Sequence, residues 1–130
     1  MRTPIAGSIL LLVTTLAATQ AVFGQDTPAY DARNGVTLMR AINTAENAQR
    51  RSGGYAPLEQ LVSHPMMGKV APNVVINGSG ATYLGQTVRL LVSNDGQHYQ
   101  AALVPPSGCG IAFFSDERGL IFSGKVLDCP

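Results

Sequence analysis

The sequence predicts an α+β domain in which one amphipathic helix packs on a roughly four-stranded antiparallel meander. Apolar residues recur at helical spacing between residues 36 and 51. From residue 86 onwards the spacing changes to the alternation that is typical of half-buried strands. Turn-forming residues separate the alternating segments, which favours hairpins between consecutive strands.

Residues 1–24 form a predicted signal peptide. Arg2 precedes an uncharged run over residues 4–24, whose strongly apolar part is Ile5–Val13. A positive start, an apolar stretch and small residues before a polar one are typical of secretory leaders. Cleavage is expected after Gly24, with Ala21 as the alternative. An uncleaved anchor is the other interpretation, because about 20 apolar residues suffice to span a bilayer.

The predicted location is therefore extracytoplasmic, either secreted or periplasmic, with anchoring by an uncleaved N-terminal segment as the alternative. Residues 25–35 are polar and form a predicted flexible lead-in, and residues 36–130 form a single predicted domain. From residue 25 onwards eight basic and eight acidic residues balance. A neutral chain has little electrostatic drive toward nucleic acid or anionic lipid. We expect no nucleic-acid partner, and a membrane contact only if the N-terminal segment is retained.

The helix is predicted over Val36–Arg51. Basic residues near its end suit the negative end of the helix dipole, and Gly53-Gly54 supplies a stop. The side expected to face the core carries Met39, Ile42 and Ala45 or Glu46.

A short helical turn is expected at residues 55–62, because Pro57 suits a helix start. We expect Leu58, Leu61 and Val62 to point inward. Residues 63–82 contain five Gly or Pro residues and are predicted to be irregular, with a brief strand at Val74–Ile76.

Two hairpins complete the predicted domain. Their paired segments are Gln86–Val92 with Gln97–Val104, and Ile111–Ser115 with Leu120–Ser123. Val88, Leu90 and Val92 alternate to one face and Tyr99, Ala101 and Leu103 do so opposite them. The core of a small sheet needs large aromatic side chains to fill it. We therefore expect it to include Tyr99, Phe113, Phe114 and Phe122.

Cys109 and Cys129 are predicted to form a disulfide bond, because two thiols in an exported chain are more often paired than free. Counting outward from a turn centred between Glu117 and Arg118 places them nearly opposite each other. One bulge near Ser123-Gly124 would absorb the difference. Closing this loop of about 20 residues stabilises a domain by about 3 kcal/mol.

Three segments carry a resemblance to a known family: Arg40–Glu46 in the helix, Gly54–Leu61 with a tyrosine before a leucine-x-x-leucine, and Ala112–Ile121 with Phe-Phe-Ser-Asp. Their order resembles the globular head of type IV pilin-like and pseudopilin-like proteins, over Val36–Cys129. The resemblance implies a pilin-head-like fold and is consistent with a C-terminal disulfide. The chain departs from that family at its front, because Gln25-Asp26-Thr27-Pro28 follows Gly24 where pilins have a long apolar helix. A filament-subunit role therefore does not follow from the resemblance.

The histidines are the first candidates for catalysis. A catalytic histidine needs an orienting acid and a nucleophile or substrate within reach. His98 lies near Asp95, whereas His64 precedes a proline in a loop. We interpret both as surface histidines. If the enzyme hypothesis held, His98→Ala would abolish an activity without unfolding the chain.

Two acidic stretches are candidates for metal binding. Asn94-Asp95-Gly96 and Asp116-Glu117 lack the alternating acidic spacing of a calcium loop, and turns favour the same residues. Asn77-Gly78-Ser79 matches a glycosylation sequon, but we interpret it as a Gly/Ser loop. The sequence thus predicts no catalytic, cofactor-binding or metal site.

These observations predict an exported, non-enzymatic domain that acts through protein–protein or cell-surface interaction, with a protein partner at the cell envelope. The contact regions are expected in the loop Ser63–Thr82 and in the cysteine-closed hairpin, because loops on a rigid scaffold often carry recognition. A membrane-anchored pilin-like assembly subunit is the main alternative. A small hydrolase or metal-binding domain is the less favoured one.

Overall fold

A computed structural model of the chain describes residues 31–78 and 80–125. Within these residues six antiparallel strands form one sheet in chain order, and one long helix packs on one of its faces. The predicted α+β class is confirmed, whereas the predicted number of four strands is wrong. The elements are α1 (Ala32–Arg50), α2 (Leu58–Leu61), β1 (Val74–Asn77), β2 (Gly80–Tyr83), β3 (Gln86–Val92), β4 (Tyr99–Val104), β5 (Ile111–Asp116) and β6 (Ile121–Lys125).

Helix α1 begins at Ala32 rather than at Val36, so the last four residues of the predicted lead-in are helical. The cause is Asp31, whose side chain accepts a hydrogen bond of 2.8 Å from the Asn34 backbone N–H. An aspartate at this position satisfies one of the free N–H groups at a helix start. The helix ends at Arg50, close to the predicted end.

The core lies between α1 and the sheet. The predicted inward side of the helix is confirmed, because Met39, Ile42, Ala45 and Glu46 are fully buried together with Leu38. The short helix α2 forms as predicted, with Leu58 and Leu61 buried. From the sheet the core receives Ala81, Tyr83, Val88, Tyr99, Ala101, Leu103 and Phe113.

Strands β3 and β4 pair as the predicted hairpin, with the predicted residues on one face. Val88 lies opposite Leu103, and Leu90 lies opposite Ala101. These residues belong to the face that α1 covers, so alternation in the sequence identified the inner face of this hairpin correctly.

The strands beyond the predicted four are β1 and β2, in a segment predicted to be mostly irregular. The brief strand predicted at Val74–Ile76 is confirmed and forms most of β1. Two 3-10 turns, Pro65–Met67 and Ala71–Asn73, precede them. A two-residue connection joins β1 to β2, since Asn77 pairs with Gly80. Leu84 and Gly85 join β2 to β3 with φ angles of 48° and 80°. Positive φ at both positions is the type I′ geometry that suits the twist of a hairpin. Short connections thus join β1 to β2 and β2 to β3.

The last hairpin is more regular than expected. Ile111 pairs with Lys125 and Ala112 pairs with Gly124, so the bulge predicted near Ser123-Gly124 is wrong. Its turn is centred on Arg118, so the numbers of paired residues sum to 236 instead of the predicted 235. Cys129 lies outside the described residues, as does the predicted signal peptide, and both predictions stand as predictions. None of the helices in the described ranges has the length and apolar character needed to cross a membrane.

Candidate functional site

The sheet has a second face, which points away from α1 and which we call the open face. The strand register places four of its residues in one row across neighbouring strands: Arg89 on β3, Ala102 on β4, Phe114 on β5 and Phe122 on β6. Phe114 is 46% exposed and Phe122 is 49% exposed. Two aromatic rings side by side therefore face solvent.

A second row runs beside the first. Leu91, Gln100 and Asp116 lie opposite one another on β3, β4 and β5. Leu91 is 66% exposed. The two rows border a groove of about 440 Å³. The open face thus offers a concave, mostly apolar surface with polar groups at its margin.

Charged side chains line one margin of this groove. The Arg118 guanidinium donates to Asp116 Oδ2 through Nη2 at 2.6 Å and through Nε at 2.9 Å. These hydrogen bonds lower the pKa of Asp116. The guanidinium carbon also lies 6.0 Å from the centre of the Phe122 ring, within cation–π range. Arg89, at the other margin, makes no ion pair within the described ranges.

The prediction that Phe114 and Phe122 belong to the core is wrong. Consecutive residues of a strand point to opposite faces, so the inward position of Phe113 forces Phe114 outward. Phe122 pairs with Phe114 and shares its face. The signal for this exposure was present in the sequence, since two adjacent phenylalanines on one strand cannot both point toward the helix.

A polar cluster under the β5–β6 turn holds that turn against α1. The Asn43 side-chain Oδ1 accepts from Tyr99 Oη at 2.7 Å and lies 2.8 Å from Ser115 Oγ. Its Nδ2 donates to the Gly119 carbonyl at 3.1 Å. Because Gly119 adjoins Arg118, this cluster positions the charged margin of the open face.

A buried carboxyl group lies deeper, on the inner side of the sheet. Glu46 Oε2 accepts from the Ala56 backbone N–H at 3.0 Å, and no hydrogen-bond partner within the described ranges reaches Oε1. Burial raises the pKa of Glu46. Burial also raises the pKa of Tyr99, with a further contribution from the charge of Glu46.

The structure pairs His98 with a different acid from the one that the sequence suggested. His98 Nδ1 lies 3.1 Å from Glu117 Oε1. Asp95 instead accepts from Ser93 Oγ at 2.5 Å and from the Gln97 N–H at 3.0 Å, and these bonds lower its pKa. Ser93 thus donates to a carboxylate in a turn, and no serine in the described ranges hydrogen-bonds a histidine ring.

The remaining candidates have local roles. His64 Nδ1 accepts from the Met66 N–H at 3.2 Å at the start of a 3-10 turn. No group of three or more His, Cys, Asp or Glu residues within residues 31–78 and 80–125 is arranged to hold a metal ion. Asn77 is exposed beside the β1–β2 turn, whereas Ser79 of the sequon lies outside the described residues.

Comparisons with protein-family models, with curated proteins and with solved structures find no match. Packing of the core explains why the inner face is apolar, but it does not explain the exposed apolar residues of the open face.

Proposed function

We propose that this chain is an exported, non-enzymatic domain that binds a protein through the open face of its sheet. The proposal depends on one observation: Leu91, Phe114 and Phe122 are exposed in adjoining rows. Single exposed apolar side chains are common on protein surfaces, whereas contiguous apolar patches mark sites of interaction.

The charges of the open face define the chemistry of the partner. Arg89 and Arg118 contribute two positive charges and Asp116 one negative charge, and Arg118 is already paired with Asp116. This is too little positive charge for a nucleic-acid backbone, which is bound by many phosphate contacts. The complementary partner is a protein surface with apolar side chains and a group that binds the Arg89 guanidinium.

Export is the second element of the proposal. Its support is the leader-like pattern of residues 1–24 together with the even number of cysteines. The partner is then expected in the cell envelope or outside the cell. The contact region differs from the two loops expected from the sequence, since the apolar surface lies on the strands.

A membrane-anchored, pilin-like assembly subunit is the second candidate. Its support is the order of the elements, one long helix followed by an antiparallel meander. The intact mass of the exported protein separates the two candidates. Loss of 24 residues supports the released domain, whereas a full-length chain in the membrane fraction supports the anchored subunit.

Site-specific photo-crosslinking in the native host tests the binding surface. A benzophenone amino acid replaces Phe122, whose exposed ring it resembles, and Glu59 on α2 provides a matched exposed control away from the sheet. We expect a discrete covalent adduct from position 122 and none from position 59. Equal labelling from both positions, or none from position 122, would contradict the proposal.

A further inference from the structure

We propose that the protein bound by the open face is a second copy of this chain, in a two-fold symmetric dimer. This inference rests on the proposed function and names its partner. It arises from the order of residues in the first row: Arg89, Ala102, Phe114 and Phe122 on four consecutive strands. The row is complementary to itself when its order is reversed.

That reversal is produced by a two-fold axis. The axis runs parallel to the strands, above the sheet and between β4 and β5. Strand β4 then faces β5 of the second copy, and β3 faces β6 of the second copy. Ala102 comes opposite Phe114, so a small side chain leaves room for a large one. Such an interface is isologous, and each contact occurs twice.

The outer positions of the row match as well. The same operation brings Arg89 opposite Phe122 of the second copy, and an arginine over an aromatic ring is a favourable pair. Arg89 makes no ion pair within the described ranges, so its guanidinium is available for this contact.

The second row supports the same axis. Reversal places Gln100 opposite Asp116, so an amide N–H can donate to a carboxylate whose other bonds go to Arg118. Leu91 then lies over the end of β6, where Leu120 is 53% exposed. In the second row a polar side chain thus lies opposite a polar one, and an apolar side chain lies opposite an apolar one.

The charge of the chain permits self-association, whereas the area of the face limits its strength. The chain from residue 25 onwards is neutral, so two copies do not repel each other strongly. Sheets pack face to face at about 10 Å, which two layers of such side chains fill. Four strands of about five residues cover roughly 300 Å² of flat sheet, below the ~800 Å² per partner of a standard interface. We therefore expect a dimer that dissociates on dilution.

Sedimentation of the exported protein over a range of concentrations measures the dimer directly. Phe114→Ala leaves a hole opposite Ala102, and Ala102→Phe places two rings in one space. Each single variant should weaken dimerisation by about tenfold or more. The double variant, Ala102→Phe with Phe114→Ala, restores one small and one large side chain per pair. It should return to within about threefold of the original dissociation constant, since contacting positions are not additive.

The controls separate the interface from the fold. Val75→Thr lies on the same face but on β1, outside the paired strands, and should leave dimerisation unchanged. Circular dichroism verifies that each variant is folded. Should a row variant fail to fold, Leu91→Gln takes its place, because this side chain is two-thirds exposed and also lies in the interface.

The results distinguish failure of the inference from failure of the proposed function. A protein that stays monomeric at all concentrations, or a dimer unaffected by every row variant, overturns the second-copy inference. In the photo-crosslinking experiment an adduct of twice the monomer mass supports the inference. An adduct with a different protein overturns the inference and leaves the proposed function standing, and absence of any adduct together with a monomer overturns both.

Discussion

The two faces of the sheet are built from alternating residues of the same strands, yet they differ in what they contribute. On the inner face Leu103 and Phe113 are almost completely buried under α1. On the open face Leu91, Phe114 and Phe122 remain about half exposed or more. The inner face lowers the free energy of the folded chain by removing apolar area from water. Among the described residues, the open face leaves apolar area in contact with water.

Apolar content alone therefore does not locate the core. Burial stabilises by about 25 cal/mol per Å² of apolar surface removed from water. An exposed ring of the open face gains only part of this free energy when the chain folds. It can gain the rest when another surface covers it. The comparison between the faces can therefore be tested with neighbouring residues that share a strand and a side-chain type.

The largest expected effect comes from the adjacent pair Phe113 and Phe114. Phe113→Ala should lower the free energy of unfolding by about 3–5 kcal/mol, because it leaves a cavity under the helix. Phe114→Ala should lower it by about 1 kcal/mol or less in dilute protein, because much of the ring is already in water. Urea unfolding followed by circular dichroism measures both. Similar losses for the two variants would mean that the faces do not differ as described.

An intermediate effect is expected at the polar cluster between α1 and the sheet. Asn43→Ala removes the acceptor of the buried Tyr99 hydroxyl and a neighbour of the Ser115 hydroxyl. A buried polar group left without a partner costs about 1–3 kcal/mol. Asn47 is exposed on the same helix, so Asn47→Ala is the control and should change stability by about 0.5 kcal/mol or less. Thermal unfolding of both variants would reveal the difference, and an unchanged Asn43→Ala would rule out a role of this cluster in holding α1.

The spacing of apolar residues in the sequence correctly predicted several parts of the fold. The inward side of α1 follows from apolar residues at helical spacing, and the inner faces of β3 and β4 follow from apolar residues at every second position. Strand β2 and its pairing with β1 were missed because both strands are short and glycines lie next to them, including Gly85 in the turn that joins β2 to β3. Local composition there resembles a loop, and only pairing with β3 establishes the strands.

The candidate site was predicted less well than the fold. Aromatic residues on strands were assigned to the core, and the assignment holds for Tyr99 and Phe113 alone. For Phe114 and Phe122 the alternation of the strand opposes the general tendency of aromatic residues to be buried. The row on the open face further requires knowledge of which strands are neighbours, and this depends on the register of the whole sheet.

The smallest expected effect concerns pH and contrasts one carboxyl group on each side of the sheet. Burial raises the pKa of Glu46 above its unfolded value of about 4.5, whereas hydrogen bonds from Arg118 lower the pKa of Asp116. For Glu46 the folded state binds the proton more tightly, so its favourable contribution is complete below the unfolded pKa. That contribution is lost as the pH rises through the folded pKa. For Asp116 the sign is opposite, and its contribution is lost as the pH falls through the folded pKa.

Glu46→Gln tests this difference while keeping an oxygen for the Ala56 N–H. The Tyr99 side chain interacts electrostatically with Glu46, and burial raises the pKa of the Tyr99 hydroxyl, so it stays neutral over the relevant range of pH. The original chain should therefore lose stability relative to Glu46→Gln as the pH rises above about 4.5. Urea unfolding of both chains between acidic and neutral pH measures the divergence. Parallel curves would mean that Glu46 reaches water in the folded state, and the inner face would then be less completely closed by α1 than its burial indicates.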